Sequence, residues 1–486
     1  MSELKNKAAR GVKWTAVKSI ADVILGPLTL TILARLLSPT EYGHIAIVTI
    51  LIGFSKQIAA MGFSQAIIQR ENVTKKDLDS IFWFEQLLGI ITFLIIFFSA
   101  NYISGFFNAP ETYRLIQFSA FVFLLEPIDL VFRTLLKKDL RFDILTKSLL
   151  VRLILQKGTT VALAFLGFGA MSYIIGNLVG IVILTLIMSG IFLKNKMWFP
   201  SFYFSFSKLK PYLKFGVFIA GKSVFNNLFN YLDEIIIGGM LGTETLGIHH
   251  FAKKIISYLT KMINVPLTEV SFPMLSKLKT NLNSFNKAYI NIIKLNALVS
   301  MPAHIGVAIT ASIFVPLFFG VEWHNAIPLI SILAFWGMFK ILYSGIISSA
   351  MYSFGNSNWI FYATVIDLPI RALLMYEASF YGIEMIAASL VLIAFVKFII
   401  YQYLLGFVTE IKVKNILYDL KTVIFSSLIM TIFLAVFKYN LLQGLGNEFF
   451  LAAIILSGVI IYTVSFYLFD KKFVYYTLDL VKRMKG

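Results

Sequence analysis

The chain has 486 residues, of which 58% are hydrophobic and 14% charged, and its mean hydropathy is +0.81. Soluble domains carry about 25% charge and about 45–50% apolar residues, so this composition excludes a water-soluble body along with disordered and fibrous classes. The excess of 43 Lys and Arg over 25 Asp and Glu gives +18, which in a membrane protein belongs in cytoplasmic loops and not on nucleic acid.

A helix needs about 20 residues at ~1.5 Å each to cross ~30 Å of hydrocarbon. Apolar stretches of that length fall near 14–36, 42–63, 81–103, 115–136, 148–168, 170–193, 213–239, 246–267, 288–318, 325–350, 358–378, 384–405, 417–439 and 447–469. They predict an all-α, polytopic membrane protein with about fourteen transmembrane helices, since a barrel would show short alternating segments. Basic residues precede the first stretch, as in a signal peptide. Asp22 interrupts it, however, and no small-residue cleavage site follows, so an uncleaved helix is expected. The ninth stretch holds Pro302 and Pro316 and reads as a kinked helix or as a helix with an interfacial turn.

With the N-terminus placed inside, inner segments hold 27 Lys and Arg, and outer segments hold only Arg114 and Lys438. The outer segments carry acids instead, from Glu41 and Glu111 to Glu448. This asymmetry predicts that both termini are cytoplasmic, although the inner loop near 351–357 has no basic residue. Every loop is short, the longest near 194–212, so the chemistry is expected inside the membrane.

The sequence echoes itself. Arg35-Leu-Leu-Ser-Pro-Thr-Glu-Tyr-Gly43 joins the first two stretches, and Gly239-Met-Leu-Gly-Thr-Glu-Thr-Leu-Gly247 joins the seventh and eighth. At the same offset Lys18-Ser19 aligns with Lys222-Ser223 and Asp22 with Asn226; a second, fainter echo sets Phe106-Phe107-Asn108 against Phe318-Phe319-Gly320. Six spans separate the copies, an even number that preserves orientation, so the halves are expected to be parallel repeats about an axis along the membrane normal. This predicts a six-helix lobe over 1–205, a second over 206–410, and two additional helices with a basic cytoplasmic tail over 411–486. Two such bundles facing a central cavity form a transporter architecture.

Fourteen basic residues fall within or at the edges of the spans, each costing roughly 2.5–3.5 kcal/mol at a lipid-facing helix centre. Arg35, Lys56, Arg133, Lys261 and Lys294 lie near span ends and can snorkel. Lys157, Lys222, Lys253, Lys254, Lys340 and Arg371 lie deeper and are expected to face a watery cavity or an acid. Lys18 and Asp22, Asp129 and Arg133, and Asp367 and Arg371 stand at i, i+4, with Glu126 on the face of Asp129. Asp233 lies about three turns after Lys222, and Asn226 shares that face. Lys157, Lys253, Lys254 and Lys340 have no acid at helical spacing, so a cavity with surplus positive charge is expected, suited to a phosphate, a pyrophosphate or an acidic sugar.

Several motif matches carry less. Gly216-Val-Phe-Ile-Ala-Gly221-Lys222-Ser223 fits the phosphate-loop pattern by letter, but that pattern works only as a loop between strand and helix. Asp77-Leu78-Asp79 resembles a glycosyltransferase acidic pair, yet Thr74 three residues ahead of Asp77 reads as a helix cap. His249-His250 stands beside Lys253-Lys254, which disfavours a metal. Gly176-x-x-x-Gly180 reads as close helix packing inside the protein. With no cysteine in the chain, thiolate sites are absent, and no catalytic residue, metal site or cofactor is expected.

Gly11-Val-Lys-Trp14, Leu33-Ala-Arg-Leu-Leu-Ser-Pro-Thr-Glu-Tyr-Gly43 and Gly62-Phe-Ser-Gln-Ala-Ile-Ile-Gln-Arg70 carry a family likeness, as do Asp77-Leu-Asp with Phe82-Trp83 and Phe106-Phe-Asn. So do Leu246-Gly247 with Lys253, Phe272-Pro273 with Leu275-Ser276, and Gly320-Val-Glu-Trp323 with Ala326. Over roughly 8–410 the chain resembles the Wzx-type polysaccharide flippases, in the colanic-acid/teichuronic-acid exporter branch of the multidrug/oligosaccharidyl-lipid/polysaccharide exporter superfamily. The resemblance implies twelve core helices in two lobes plus two more, in a bacterial plasma membrane. It implies alternating-access flipping of an oligosaccharide on undecaprenyl pyrophosphate, with membrane lipids as surroundings. H+ or Na+ and the polysaccharide polymerase machinery are candidate partners. Functional charges in the first and seventh helices of relatives correspond here to Lys18, Asp22, Arg35, Lys222 and Asp233, so these, with Asn226 and Asp367, are the candidate coupling or gating charges. The position aligned with Arg35 is Gly239, so the two halves do not offer the same charges. The alternatives are an ion-coupled multidrug-type exporter, against which an electropositive cavity argues, and a membrane glycan polymerase or ligase, against which short acidic outer loops argue.

Overall fold

The computed structural model describes residues 2–60, 62–441 and 447–485, and among them the chain is helical with no strand. It packs as two compact units, Met1–His250 and Phe251–Gly486. The first holds α1 (Ser2–Leu36), α2 (Pro39–Ala60), α3 (Phe63–Gln69), α4 (Lys75–Phe106), α5 (Thr112–Ala120), α6 (Val122–Lys138), α7 (Phe142–Phe165), α8 (Met171–Lys194) and α9 (Phe206–Leu241). α10 (Thr243–Leu278) starts there and runs on into the second. That unit continues with α11 (Leu282–Phe314), α12 (Ala326–Ile341), α13 (Ser348–Ser353), α14 (Ser357–Ser379), α15 (Ile383–Thr409), α16 (Val413–Leu441), α17 (Asn447–Phe469) and α18 (Lys471–Lys485). The lobe boundary expected at 205/206 falls in the loop ahead of α9, inside the first unit, where α9 packs on α2, α3 and α4.

Eleven segments among the described residues are long and apolar enough to cross a membrane. The other three expected stretches are helical too, in α2, α9 and α10. Lys253, Lys254 and Lys261 break the apolar run of α10. The ninth stretch resolves as α11 with Pro302 inside it, followed by a π-helical turn, Val315–Phe319, that takes up Pro316. A proline offers no N–H to the turn before it, so the regular ladder ends there.

The motif Ser38-Pro-Thr-Glu41 is a helix start. The Glu41 carboxylate accepts from the Ser38 amide at 2.9 Å, and the Ser38 hydroxyl accepts from the Glu41 amide at 3.3 Å, a reciprocal cap with Pro39 as the first residue of α2. The Tyr42 hydroxyl donates back to the Leu30 carbonyl, fixing the corner between α1 and α2. The second copy of the motif lies against the first. A Cβ on Gly43 would stand 1.9 Å from the Thr243 carbonyl oxygen, and one on Gly247 would stand 1.8 Å from that of Pro39. The offset that aligns Gly43 with Gly247 also aligns Pro39 with Thr243, so the contact is reciprocal.

In lipid, apolar burial gives little drive for helix association, and close packing takes its place. Gly176 of α8 meets α7 so tightly that a Cβ would fall 2.0 Å from Thr160 Oγ1, as the small-residue spacing predicted. Below this contact Phe132, Leu136, Leu145, Leu184, Met188 and Phe192 close the core of the first unit. In the second unit Ile313, Met430, Leu434, Phe450 and Ile454 do the same between α11, α16 and α17.

Two motif matches resolve as structure. The phosphate-loop letters lie inside continuous α9, whose amides are committed to the helix ladder. Asp77 completes the Thr74 cap, with both reciprocal bonds present. Asp79 accepts from Trp198 Nε1 at 2.9 Å and from the Ser201 amide and hydroxyl, anchoring the loop between α8 and α9.

Candidate functional site

The intramembrane charges fall into three groups. In the first unit α6 carries Glu126, Asp129 and Arg133 on one face. The Arg133 guanidinium donates to Asp129 at 2.9 Å and lies 4.0 Å from Glu126. Glu85 of α4, 1% exposed, has Arg133 and Asp129 as its electrostatic neighbours, and Arg152 of α7 faces the same group. One oxygen each of Glu85 and Asp129 has no hydrogen-bond partner among the described residues. The helix spacing of Asp129 and Arg133 marks that pair in the sequence, whereas Glu85 has no base at helical spacing to mark it. Its signal was an acid inside the apolar run that follows Phe82. On α1, Lys18 donates to Asp22 at 2.9 Å, and Arg35 is exposed in the last turn.

The second group joins α9 to α10. Asp233 and Glu234 are buried side by side, and each meets a buried histidine: Asp233 with His249 Nε2 at 2.9 Å, Glu234 with His250 Nδ1 at 3.2 Å. A carboxylate only accepts, so a neutral His249 carries its proton on Nε2. The two histidines thus serve carboxylates of the preceding helix. Among the described residues no group of three or more His, Asp or Glu is placed to hold a metal ion. The α9 side chains of Lys222 and Asn226, both expected in the site, lie outside the described residues.

The third group is in the second unit. Asp367 of α14 meets Lys397 of α15 at 2.9 Å and Arg371, one turn on, at 3.8 Å. Arg371 and Lys397 are each 5% exposed. The Lys397 ammonium also lies 5.6 Å from the Tyr343 ring centroid, in a π-helical turn (Leu342–Ile347) that follows α12. Tyr343 in turn packs edge-on against Tyr401, whose hydroxyl is 3.4 Å from Thr364. Arg371, expected as a cavity cation, is thus engaged by a carboxylate. Lys397 is a partner that spacing rules could not supply, because it stands on another helix.

The remaining expected cations are half-buried: Lys157 on α7, Lys253 and Lys254 on α10, and Lys340 in the last turn of α12. Lys340 lies 4.3 Å from the Trp336 ring centroid, a cation–π contact. Lys157 belongs to the first unit and the other three to the second.

A sequence profile described as polysaccharide biosynthesis protein matches residues 32–328, more than half of the chain. The chain belongs to that family. Its relatives in this family include the teichuronic acid biosynthesis protein TuaB of Bacillus subtilis, 27% identical over 418 residues and 85% of each chain. The lipopolysaccharide biosynthesis protein WzxC of Escherichia coli is 25% identical over 337 residues, covering 69% of this chain and 68% of that one. The fold is that of the lipid II flippase MurJ in an inward closed conformation (TM-score 0.78, 16% identity, 94% of this chain and 99% of that one). An inward-facing multidrug resistance MATE family transporter of the MOP superfamily follows at a TM-score of 0.59 and 16% identity, covering 81% and 99%. The Wzx-type likeness read from the residues is borne out. This member of the polysaccharide biosynthesis family is a multi-pass membrane protein.

Proposed function

We propose that the protein flips a lipid-linked oligosaccharide, an undecaprenyl pyrophosphate repeat unit for a surface polysaccharide, from the inner to the outer leaflet of a bacterial inner membrane. The observation that carries this reading is the likeness to TuaB along 85% of both chains, on a fold shared with a lipid II flippase. The physical task fits an all-helical carrier. Sugars and a pyrophosphate cannot cross hydrocarbon unaided, since each unpaired polar group costs several kcal/mol there. A carrier that alternates access must offer the pyrophosphate cations on the way. Lys157, Lys253, Lys254 and Lys340, together with Lys222, are the residues proposed for that task. Arg371 is proposed to join those cations, and Lys18, Asp22, Arg35, Asn226, Asp233 and Asp367 are proposed to gate the movement or couple it to H+ or Na+, with the polysaccharide polymerase machinery receiving the product.

The test is purified protein in vesicles holding a fluorescent lipid-linked oligosaccharide, with an impermeant reductant outside. Protein-dependent transfer of the label between leaflets is expected. Lys340→Ala is expected to slow it at least tenfold while the amount of folded protein is unchanged. Transport of a cationic dye with no movement of the glycan lipid would instead make the protein a multidrug-type exporter.

A further inference from the structure

A cleft of about 550 Å³ opens between the start of α7 and the end of α8, on the side of this hairpin away from its connecting loop. Three cations surround its mouth: Arg141, Lys147 and Lys194. No carboxylate among the described residues lies within ion-pair distance of any of them. Arg141 reaches only the Met197 sulfur, at 3.5 Å, and Lys147 lies 4.8 Å from the Trp14 ring centroid. The amides at the start of α7, which has no side-chain cap, face the same end, where Asp143 in the first turn offsets part of their positive dipole. Arg141 and Lys194 stand at the helix ends and Lys147 in the second turn of α7, whereas Leu186 and Ile187 lie about 10 Å from Lys194 back along α8 and line an apolar floor. The cleft is therefore charged at the membrane surface and greasy below it. Gly190 lines it, and a Cβ there would meet nothing within 4 Å, so the missing side chain keeps the cleft open.

We propose that this cleft binds one anionic glycerophospholipid. Its phosphodiester headgroup pairs with Arg141, Lys147 and Lys194, and one acyl chain lies along Leu186 and Ile187. A free phosphate shares the headgroup chemistry but has no use for the apolar floor. Zwitterionic lipid shares the chain but lacks the net charge that three unneutralised cations select. The site stands whether or not the cargo proposed above is correct.

The test uses the full chain in phosphatidylcholine bicelles, titrated with phosphatidylglycerol and read by native mass spectrometry for the tightest bound lipid. Two variants fail differently. Arg141→Gln/Lys147→Gln/Lys194→Gln keeps the shape and removes the charge, and Gly190→Leu keeps every charge and fills the cleft. Each is expected to weaken phosphatidylglycerol at least tenfold with an unchanged unfolding temperature, while Lys208→Gln/Lys210→Gln leaves binding intact. Unchanged binding in Gly190→Leu, or an equal loss in the Lys208/Lys210 control, would overturn the site as diffuse surface attraction. Inorganic pyrophosphate displacing the lipid at equal concentration would overturn it in favour of a soluble anion.

Discussion

Asp470 joins three helices of the second unit. It accepts from Lys294 of α11, from Thr422 of α16 at 3.4 Å and from the Phe473 amide at 3.1 Å, where α18 begins. Burial works against its charge, but these donors outweigh it and hold the carboxyl below its ordinary range. A carboxyl depressed by folding stabilises the protein above its unfolded pKa, and that contribution is lost as pH falls through the folded value. Asp470→Asn is expected to cost about 1 kcal/mol at pH 7, a figure reduced by solvent screening, and to cost nothing well below the carboxylate range near pH 4. Thermal unfolding of both proteins in detergent, at pH 7 and then stepped down, checks both the size and the sign. At this scale the sequence revealed the pairings within one helix and hid those between helices. Asp22, Asp129 and Asp367 were matched to bases one helical turn away. Lys294 read as a snorkelling cation because its acid stands far along the chain, and Lys397 of the Asp367 group was hidden for the same reason.

Close approach, more than apolar area, sets how α7 and α8 meet, and two glycines of this hairpin make opposite predictions. Gly176→Val would drive a side chain into Thr160 Oγ1 and the Gln156 carbonyl, both already within 3 Å of a Cβ. Such overpacking costs about 1–3 kcal/mol and is expected to lower the unfolding temperature. Gly158 of α7 faces open space, so Gly158→Ala is expected to raise stability by up to about 1 kcal/mol through helix propensity alone. A melting curve for each variant decides, and a fall in both would mean that the hairpin is held by something other than contact distance. Gly176-x-x-x-Gly180 was legible because small residues at that spacing have a packing meaning. Pro316 marked the turn after α11, but the π-helical turn after α12 was not legible, since no residue type marks it.

For the molecule as a whole, hydropathy supplied the helices and their order, because twenty apolar residues have few other solutions. What it handled least well is α10, where lysines and histidines interrupt the apolar run yet the helix continues unbroken from Thr243 to Leu278. The orientation rests on basic residues alone and can be tested cleanly, since the chain has no cysteine and any introduced thiol is unique. Glu111→Cys is expected to react with an impermeant maleimide on intact cells, and Lys208→Cys only after permeabilisation. The reverse pattern would invert the topology.

The corner where Gly43 rests on Thr243 and Gly247 rests on Pro39 has a genetic consequence. The joint is palindromic: a methyl group added at either glycine wedges the same seam from opposite sides. Two lesions more than two hundred residues apart in the gene should then share one phenotype, and a compensating change that relieves one should relieve the other.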